Sequence, residues 1–303
     1  VELILFDSAQ RFYDGIKSFL LECEDENSLL IGILSRLVEM DAYQENLFLA
    51  AVIFKSKIVA VALHVPHRNL IITRARAGAI ALLASRLKTL NIAIPGVVGP
   101  ESEAHEFVKN WKEITNVGLT LQRTMRIYRL DKVILPKKVT GSMRLAQLKE
   151  MKILRSWFDA FFSEINTGDS SELTHAVLSH ALEKGNLYLW YDGKIVSMAG
   201  IARSSPNGKS VNLVYTPIEH RGCGYASNLV ASLSENIIQS GMKFCTLFAD
   251  LKNPTSNRIY INIGYYPVGD FTEYSEGRRG KRKMSSTLDE VPRTINGAKL
   301  GRY

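Results

Sequence analysis

Val214-Tyr215-Thr216-Pro217-Ile218-Glu219-His220-Arg221-Gly222-Cys223-Gly224-Tyr225-Ala226-Ser227 joins a β-branched and aromatic run to a helical pattern over 228–239 through a loop with two glycines. A strand that turns through glycines into a helix leaves the first backbone N–H groups of that helix without partners inside it. Those donors and the positive end of the helix dipole form an anion site. The stretch therefore predicts an α/β fold that binds a phosphorylated cofactor at this loop.

Working outward, the chain is written twice, with an offset of about 140 residues. The first copy has a hairpin pattern, Phe48 to Phe54 and Ile58 to Val65 across a Lys-Ser-Lys turn; the second has Leu187 to Tyr191 and Ile195 to Ala202 across Asp192-Gly193. A third strand follows in each (69–73 and 210–215), then an amphipathic helix (78–90 and 225–240) and a strand (Ile92 to Val98 and Phe244 to Asp250). A shorter helix (101–113 and 255–263) and a closing β-segment (121–130 and 265–274) complete each copy. Met143 to Leu148 reads as a strand opening the second copy, with helices at 149–162 and 171–184. The counterpart helices of the first copy fall within 8–41. This order predicts a mixed, mostly antiparallel sheet flanked by helices. Pro136, three lysines and Gly141 interrupt the periodicity over 132–141, which gives units at 1–135 and 141–276.

The copies are not equally equipped. The first strand-to-helix connection, Thr73-Arg74-Ala75-Arg76-Ala77-Gly78, has a single glycine. It reads as a degenerate copy retained for packing. Farther along the second copy, Asn253-Pro254 is a helix start, with an Asn cap and Pro in the first turn. Tyr260 lies seven residues, about two turns, beyond Asn253, and Gly264 reads as the stop. Standing alone, Tyr260 would be a core tyrosine.

Arg221-x-x-Gly224-x-Ala226 followed by Asn253…Tyr260…Gly264-Tyr265 resembles the GNAT superfamily of acyl-CoA-dependent N-acetyltransferases over residues 141–276. The tandem plan, with a degenerate first half, resembles bacterial two-domain GNAT proteins. The resemblance implies tandem GNAT-like domains and acetyl-CoA as acyl donor. It implies that the strand before the loop splays from its neighbour and that its backbone at Val214, Tyr215 and Thr216 pairs with the pantetheine arm and thioester carbonyl. The pyrophosphate would rest on the loop from Arg221 through Gly222, Cys223, Gly224, Tyr225 and Ala226 to Ser227. Asn253 would bond the pantetheine region, and Tyr260 would protonate the departing thiolate as general acid. Transfer to a primary amine would be direct, with the oxyanion held by a backbone N–H near Val214. Cys223 is a loop residue on this reading and not a nucleophile. Glu164 is a candidate general base, Asn212 could orient a water, and His220 is a surface histidine beside the loop. Carboxylates such as Glu164, Asp169 and Glu172 could attract a cationic amine, although acids at helix ends also have a simple electrostatic explanation.

Composition bounds the rest. The chain has 303 residues, 46% of them hydrophobic and 22% charged, as in ordinary globular proteins. No apolar run approaches a membrane span, and the start has no signal-peptide pattern. Val1 reads as a truncated start or an unusual initiator. Cys23, Cys223 and Cys245 lack metal-ligand spacing, which predicts a reducing, cytoplasmic setting without disulfides or metal. The net charge is +8, but 277–303 holds eight basic and two acidic residues. Without interleaved aromatics this tail reads as solvated and disordered, not as a nucleic-acid ligand. The expected partners are an amine acceptor and, compatible with this fold, a second copy of the chain. A different class of function, a non-catalytic acyl-CoA-binding or regulatory module, would need the phosphate loop but not Tyr260. An aminoacyl transferase would have less need of that loop.

Overall fold

A computed structural model of the protein describes residues 1–39, 46–165 and 171–276. Asp169 and the basic tail lie outside the described residues. The first half runs β1 (Glu2–Leu5), α1 (Ala9–Glu22), α2 (Ser28–Glu39), β2 (Phe48–Phe54), β3 (Lys57–His64), β4 (Leu70–Ile72), α3 (Ala79–Thr89), β5 (Gly96–Pro100), α4 (Glu101–Thr115) and β6 (Leu119–Leu130). The second repeats it as β7 (Ser142–Leu145), α5 (Met151–Glu164), α6 (Ser171–Glu183), β8 (Leu187–Asp192), β9 (Lys194–Ser204), β10 (Gly208–Tyr215), α7 (Tyr225–Gln239), β11 (Phe244–Asp250), α8 (Pro254–Asn262) and β12 (Tyr266–Glu276).

These strands form one sheet ordered β1-β2-β3-β4-β5-β12-β6-β11-β10-β9-β8-β7. Only β4–β5 and β10–β11 pair in parallel among the described strands; the other neighbours are antiparallel. Parallel neighbours need a crossover, and α3 and α7 supply it. The order has an internal two-fold character. Each half contributes five strands in the same succession, and the two closing strands exchange places: β12 pairs β5 of the first half, while β6 pairs β11 of the second.

Period-two alternation explains how one strand serves two cores. In β2, Leu49 and Ala51 face the layer of α1 and α2, while Phe48, Ala50 and Val52 face α3 and α4. The strand is buried on both sides and so reads as a continuous apolar run. In β6, Met125 and Ile127 join the first half's core, and Tyr128 and Leu130 join the core beneath α7 and α8. Each such buried side chain contributes about 1.5–3 kcal/mol. Along the β6–β12 seam Arg126 forms a two-pronged ion pair with Asp270 at 2.7 and 2.8 Å. Arg123 donates to Glu273 at 2.6 Å, and Asn69 donates to the other oxygen of that carboxylate at 2.8 Å. Glu24 accepts from the backbone and side chain of Asn207, both at 2.7 Å, tying the α1–α2 connection to the β9–β10 turn.

The predicted elements are present with shifted edges. The strand read as Ile92 to Val98 is instead Gly96–Pro100. Asn91 takes φ 54° after α3 and Pro95 adds no donor, so pairing starts only past them. Met143 to Leu148 contracts to Ser142–Leu145, because Gln147 and Glu150 cap a short turn ahead of α5. The strand β1 had no counterpart in the sequence reading. The break over 132–141 falls in the connection from β6 to β7.

Because β11 and β12 both lie against β6, residues 141–276 expressed alone should not form a stable monomer. The expected species is unfolded or a dimer in which two copies of β12 replace the β6–β12 pair. A folded monomer with a cooperative melt, seen by light scattering and circular dichroism, would contradict this topology.

Candidate active site

The site is set by how β10 parts from β11. The parallel pair holds only at Gly208–Phe244, Lys209–Cys245 and Ser210–Thr246. Past Ser210 the register of β10 against β9 also shifts twice, and Leu213 takes φ 54°. A non-glycine residue in the left-handed region is uncommon and strained for a branched side chain. The Asn212 side chain accepts from Leu213 N–H at 2.7 Å across this kink. The strand thus bends away from β11 and resumes pairing with β9 at Tyr215–Met198. Residues 211–215 of β10 and 247–250 of β11 flank the opening that results.

The loop beyond Tyr215 closes on itself. Arg221 Nε donates to Thr216 O at 2.8 Å, and its guanidinium stands 5.7 Å from the Tyr215 ring centroid. The same side chain pairs with Glu164, the last residue of α5, at 2.6 Å. Ser197 Oγ donates to Tyr215 O at 3.1 Å and contacts Thr216 Oγ1 at 2.8 Å. Burial, then the nearby Glu164 charge, raise the Tyr215 hydroxyl above its usual range. Arg221 and Thr216 are therefore engaged with the protein's own groups, and Val214 lies between them and the kink.

Gly222 and Gly224 have φ of 78° and 83°, a region costly for residues with a Cβ. No atom lies within 4 Å of a Cβ built on Gly222, so the loop faces open space there. Gly224 caps α7 with no side-chain cap bond and no acid in the first turn. The N–H groups of Tyr225, Ala226 and Ser227 precede the first intrahelical bond, from Asn228 N to Gly224 O at 3.1 Å. This donor set fits an anionic group. Tyr225 OH instead donates to Asp192 at 2.8 Å, which Thr140 also bonds at 2.7 Å. Those two hydrogen bonds, Thr140 first, hold the Asp192 carboxyl below its usual range. Cys223 is exposed, with Sγ 3.7 Å from Arg221 O. His220 closes a one-turn helix, its N–H bonded to Pro217 O at 2.9 Å.

The second motif sits on α8. Asn253 caps it by accepting from Ser256 N–H at 3.1 Å, with Pro254 in the first turn. Asn253 is exposed while Tyr260 is only 7% exposed, so the two do not share one environment. The Tyr260 ring packs 6.3 Å from Tyr128 and 6.1 Å from Tyr265. Burial raises its hydroxyl well above the usual tyrosine range, so it keeps its proton. Gly264 has φ 104° at the helix stop. The splay of β10 implied by the resemblance is present, but sequence reasoning missed that it turns at Leu213 and that the 132–141 connection runs along the loop. A Cβ on Gly224 would lie 3.1 Å from Val139, and Asn228 donates to Lys137 O at 3.0 Å. The interruption of periodicity there was the available signal, and it was read only as a boundary.

The equivalent place in the first half is closed. Leu70–Val97 and Ile71–Val98 pair, and a Cβ on Gly99 would sit 2.8 Å from Ile72 O, so β4 stays against β5 to its end. Its loop is furnished with carboxylates: Ala75 N–H donates to Glu103 at 3.2 Å, and Arg74 pairs with Glu26 at 2.6 Å. Gly78, φ 81°, caps α3.

Among the described residues no cluster of His, Cys, Asp or Glu could hold a metal ion. None of their helices is long and apolar enough to cross a membrane.

Residues 190–274 match the family model described as FR47-like protein. Curated proteins yield no match to this sequence. Among solved structures, the fold is similar to an acetyltransferase from the GNAT family of Colwellia psychrerythraea. The TM-score is 0.56 at 11% identity, covering 91% of this chain and 100% of that one. A GCN5-related N-acetyltransferase from Sphaerobacter thermophilus gives 0.57 at 12% identity, covering 84% and 87%. A tandem GNAT protein from the clavulanic acid biosynthesis pathway gives 0.53 at 10%, covering 92% and 99%. With the FR47-like segment in its second half and this architecture across both, the chain has the tandem GNAT acetyltransferase fold.

Proposed function

We propose that the protein is an acetyl-CoA-dependent N-acetyltransferase that acylates a primary amine, with one active site, in the second half. The observation that carries this reading is the departure of β10 from β11 after Ser210, with an α7 N-terminus that has no side-chain cap bond beside the opening. A thioester arm needs an extended slot with backbone partners, and its pyrophosphate needs N–H donors beside it. Val214 offers backbone on the open side, and Gly222 to Ser227 offer the donors. The chain supplies both together in the second half; in the first, α3 also starts without a side-chain cap, but β4 and β5 stay together.

In the proposed chemistry the neutral amine attacks the thioester carbonyl, forming the C–N bond as the C–S bond breaks. A backbone N–H near Val214 stabilises the developing oxyanion. Tyr260 gives its proton to the leaving sulfur, and the amine's surplus proton passes to water. Burial keeps Tyr260 protonated, so the hydroxyl still carries its proton at neutral pH. The pairing of Glu164 with Arg221 favours an anchor between α5 and the loop over a general base. Asn253 retains an amide N–H₂ for the pantetheine region while its oxygen caps α8. No covalent enzyme intermediate is needed, so Cys223 remains a loop residue.

The competing reading, an acyl-CoA-binding module in which Tyr260 only fills the core, finds support in its contacts with Tyr128 and Tyr265. Tyr260→Phe keeps the ring and removes the hydroxyl. The expected result is a fall in kcat of about 10²–10⁴-fold with acetyl-CoA affinity retained; unchanged turnover on an amine panel would remove the acid role. Because its pKa is raised, Tyr260 stays protonated as pH climbs. The wild-type rate should therefore show no alkaline fall from this group up to about pH 9; a limb below that which disappears in the Phe variant would keep the acid role and contradict the raised pKa. Calorimetric titration should also give one acetyl-CoA per chain, and two would restore the first half as a second site.

A further inference from the structure

The connection between the halves is pinned along its length. Ile134 N–H donates to Ile263 O at 2.9 Å at the end of α8. Asn228, in the first turns of α7, donates to Lys137 O at 3.0 Å, and Val139 abuts Gly224. Trp190 Nε1 then donates to Thr140 O at 2.8 Å. The segment thus crosses from the C-terminus of α8 to the N-terminus of α7 as a strap beside the loop.

The strap carries Lys137, whose carbonyl makes the Asn228 contact, and Lys138, between it and Val139; both are exposed. The loop itself is poor in usable cations. Arg221 is engaged by Glu164 and Thr216 O, and Glu219 adds a negative charge. A bound coenzyme A brings, besides its pyrophosphate, a ribose 3′-phosphate of about −1.5 to −2 charge. Backbone N–H groups at one helix end suit the pyrophosphate, but a separate phosphate monoester needs its own cations. A lysine ammonium on a flexible stem meets such a group as a point charge.

We propose that Lys137 and Lys138, delivered by the strap to the edge of the Gly222–Ser227 loop, recognise the 3′-phosphate of the acyl donor. The two lysines make the site selective for coenzyme A over its 3′-dephospho form. This assignment rests on the donor reading above and deepens it. It also gives the connection a binding role beyond joining the halves.

The test is calorimetric titration of the full chain with coenzyme A and with 3′-dephospho-coenzyme A. The wild type should prefer the former by about tenfold, a charge-assisted contact weakened by solvent exposure. In Lys137→Gln/Lys138→Gln the two ligands should bind alike, at the wild-type affinity for the dephospho form. The strap bond uses the backbone oxygen of Lys137, so this variant keeps it. A preference that survives in the variant would overturn the assignment, as would a wild type with no preference. Equal weakening toward both ligands would also overturn it by moving the lysines to the pyrophosphate. A wild type that binds neither ligand would sink the donor reading and the assignment with it.

Discussion

The pairing of β6 with β12 at the middle of the sheet is the constraint on which the rest of the molecule depends. Each strand closes a unit in sequence, yet each completes the sheet of the other unit. Main-chain hydrogen bonds therefore run without interruption from β1 to β7. The ion pairs of Arg126 with Asp270 and Arg123 with Glu273 lie on this seam, where either strand in another register would leave partly buried charges unpaired. Tyr128 carries the seam toward the site: its ring packs near Tyr260, and its hydroxyl donates to Asn257 of α8 at 2.8 Å. The first half thereby contributes part of the wall behind the second half's α8.

Against that shared frame the two halves diverge at one place, where the parallel strands meet their crossover helices. In the first half β4 remains beside β5, and Glu103 holds the connecting loop through the Ala75 N–H. In the second half β10 turns aside at Leu213 and two glycines open the loop; the helix starts themselves are alike, each with a glycine cap of positive φ and no acid in the first turn. A few local choices decide whether the same topology keeps its parallel strands together or parts them beside a glycine loop. The strain at Leu213 is tolerated because Asn212 satisfies its N–H and β9 recaptures the strand at Tyr215.

Much of this was legible in the sequence. Period and turn chemistry place the hairpins, the crossover helices and the Asn253-Pro254 cap, since each rests on residues close together in the chain. The glycines at 222 and 224 signal positive φ for the same reason. The exchange of β6 and β12 was not legible, because a closing strand has the same apolar alternation whichever sheet it joins. Nor was the turning of Arg221 toward Glu164, a contact 57 residues distant. The kink at Leu213 falls on a residue whose chemistry argues for regular strand. The 132–141 segment has the composition of a linker, and only its contacts with Gly224 and Asn228 reveal a second use.

The central claim is that one of two similar halves takes up the acyl donor. Amide hydrogen exchange with and without acetyl-CoA tests it most directly, since it reads both loops in one experiment. Slower exchange over 211–216 and 222–227, with 73–79 unchanged, is the result this account predicts. Protection of 73–79, or none over 222–227 under saturating acetyl-CoA, would contradict it.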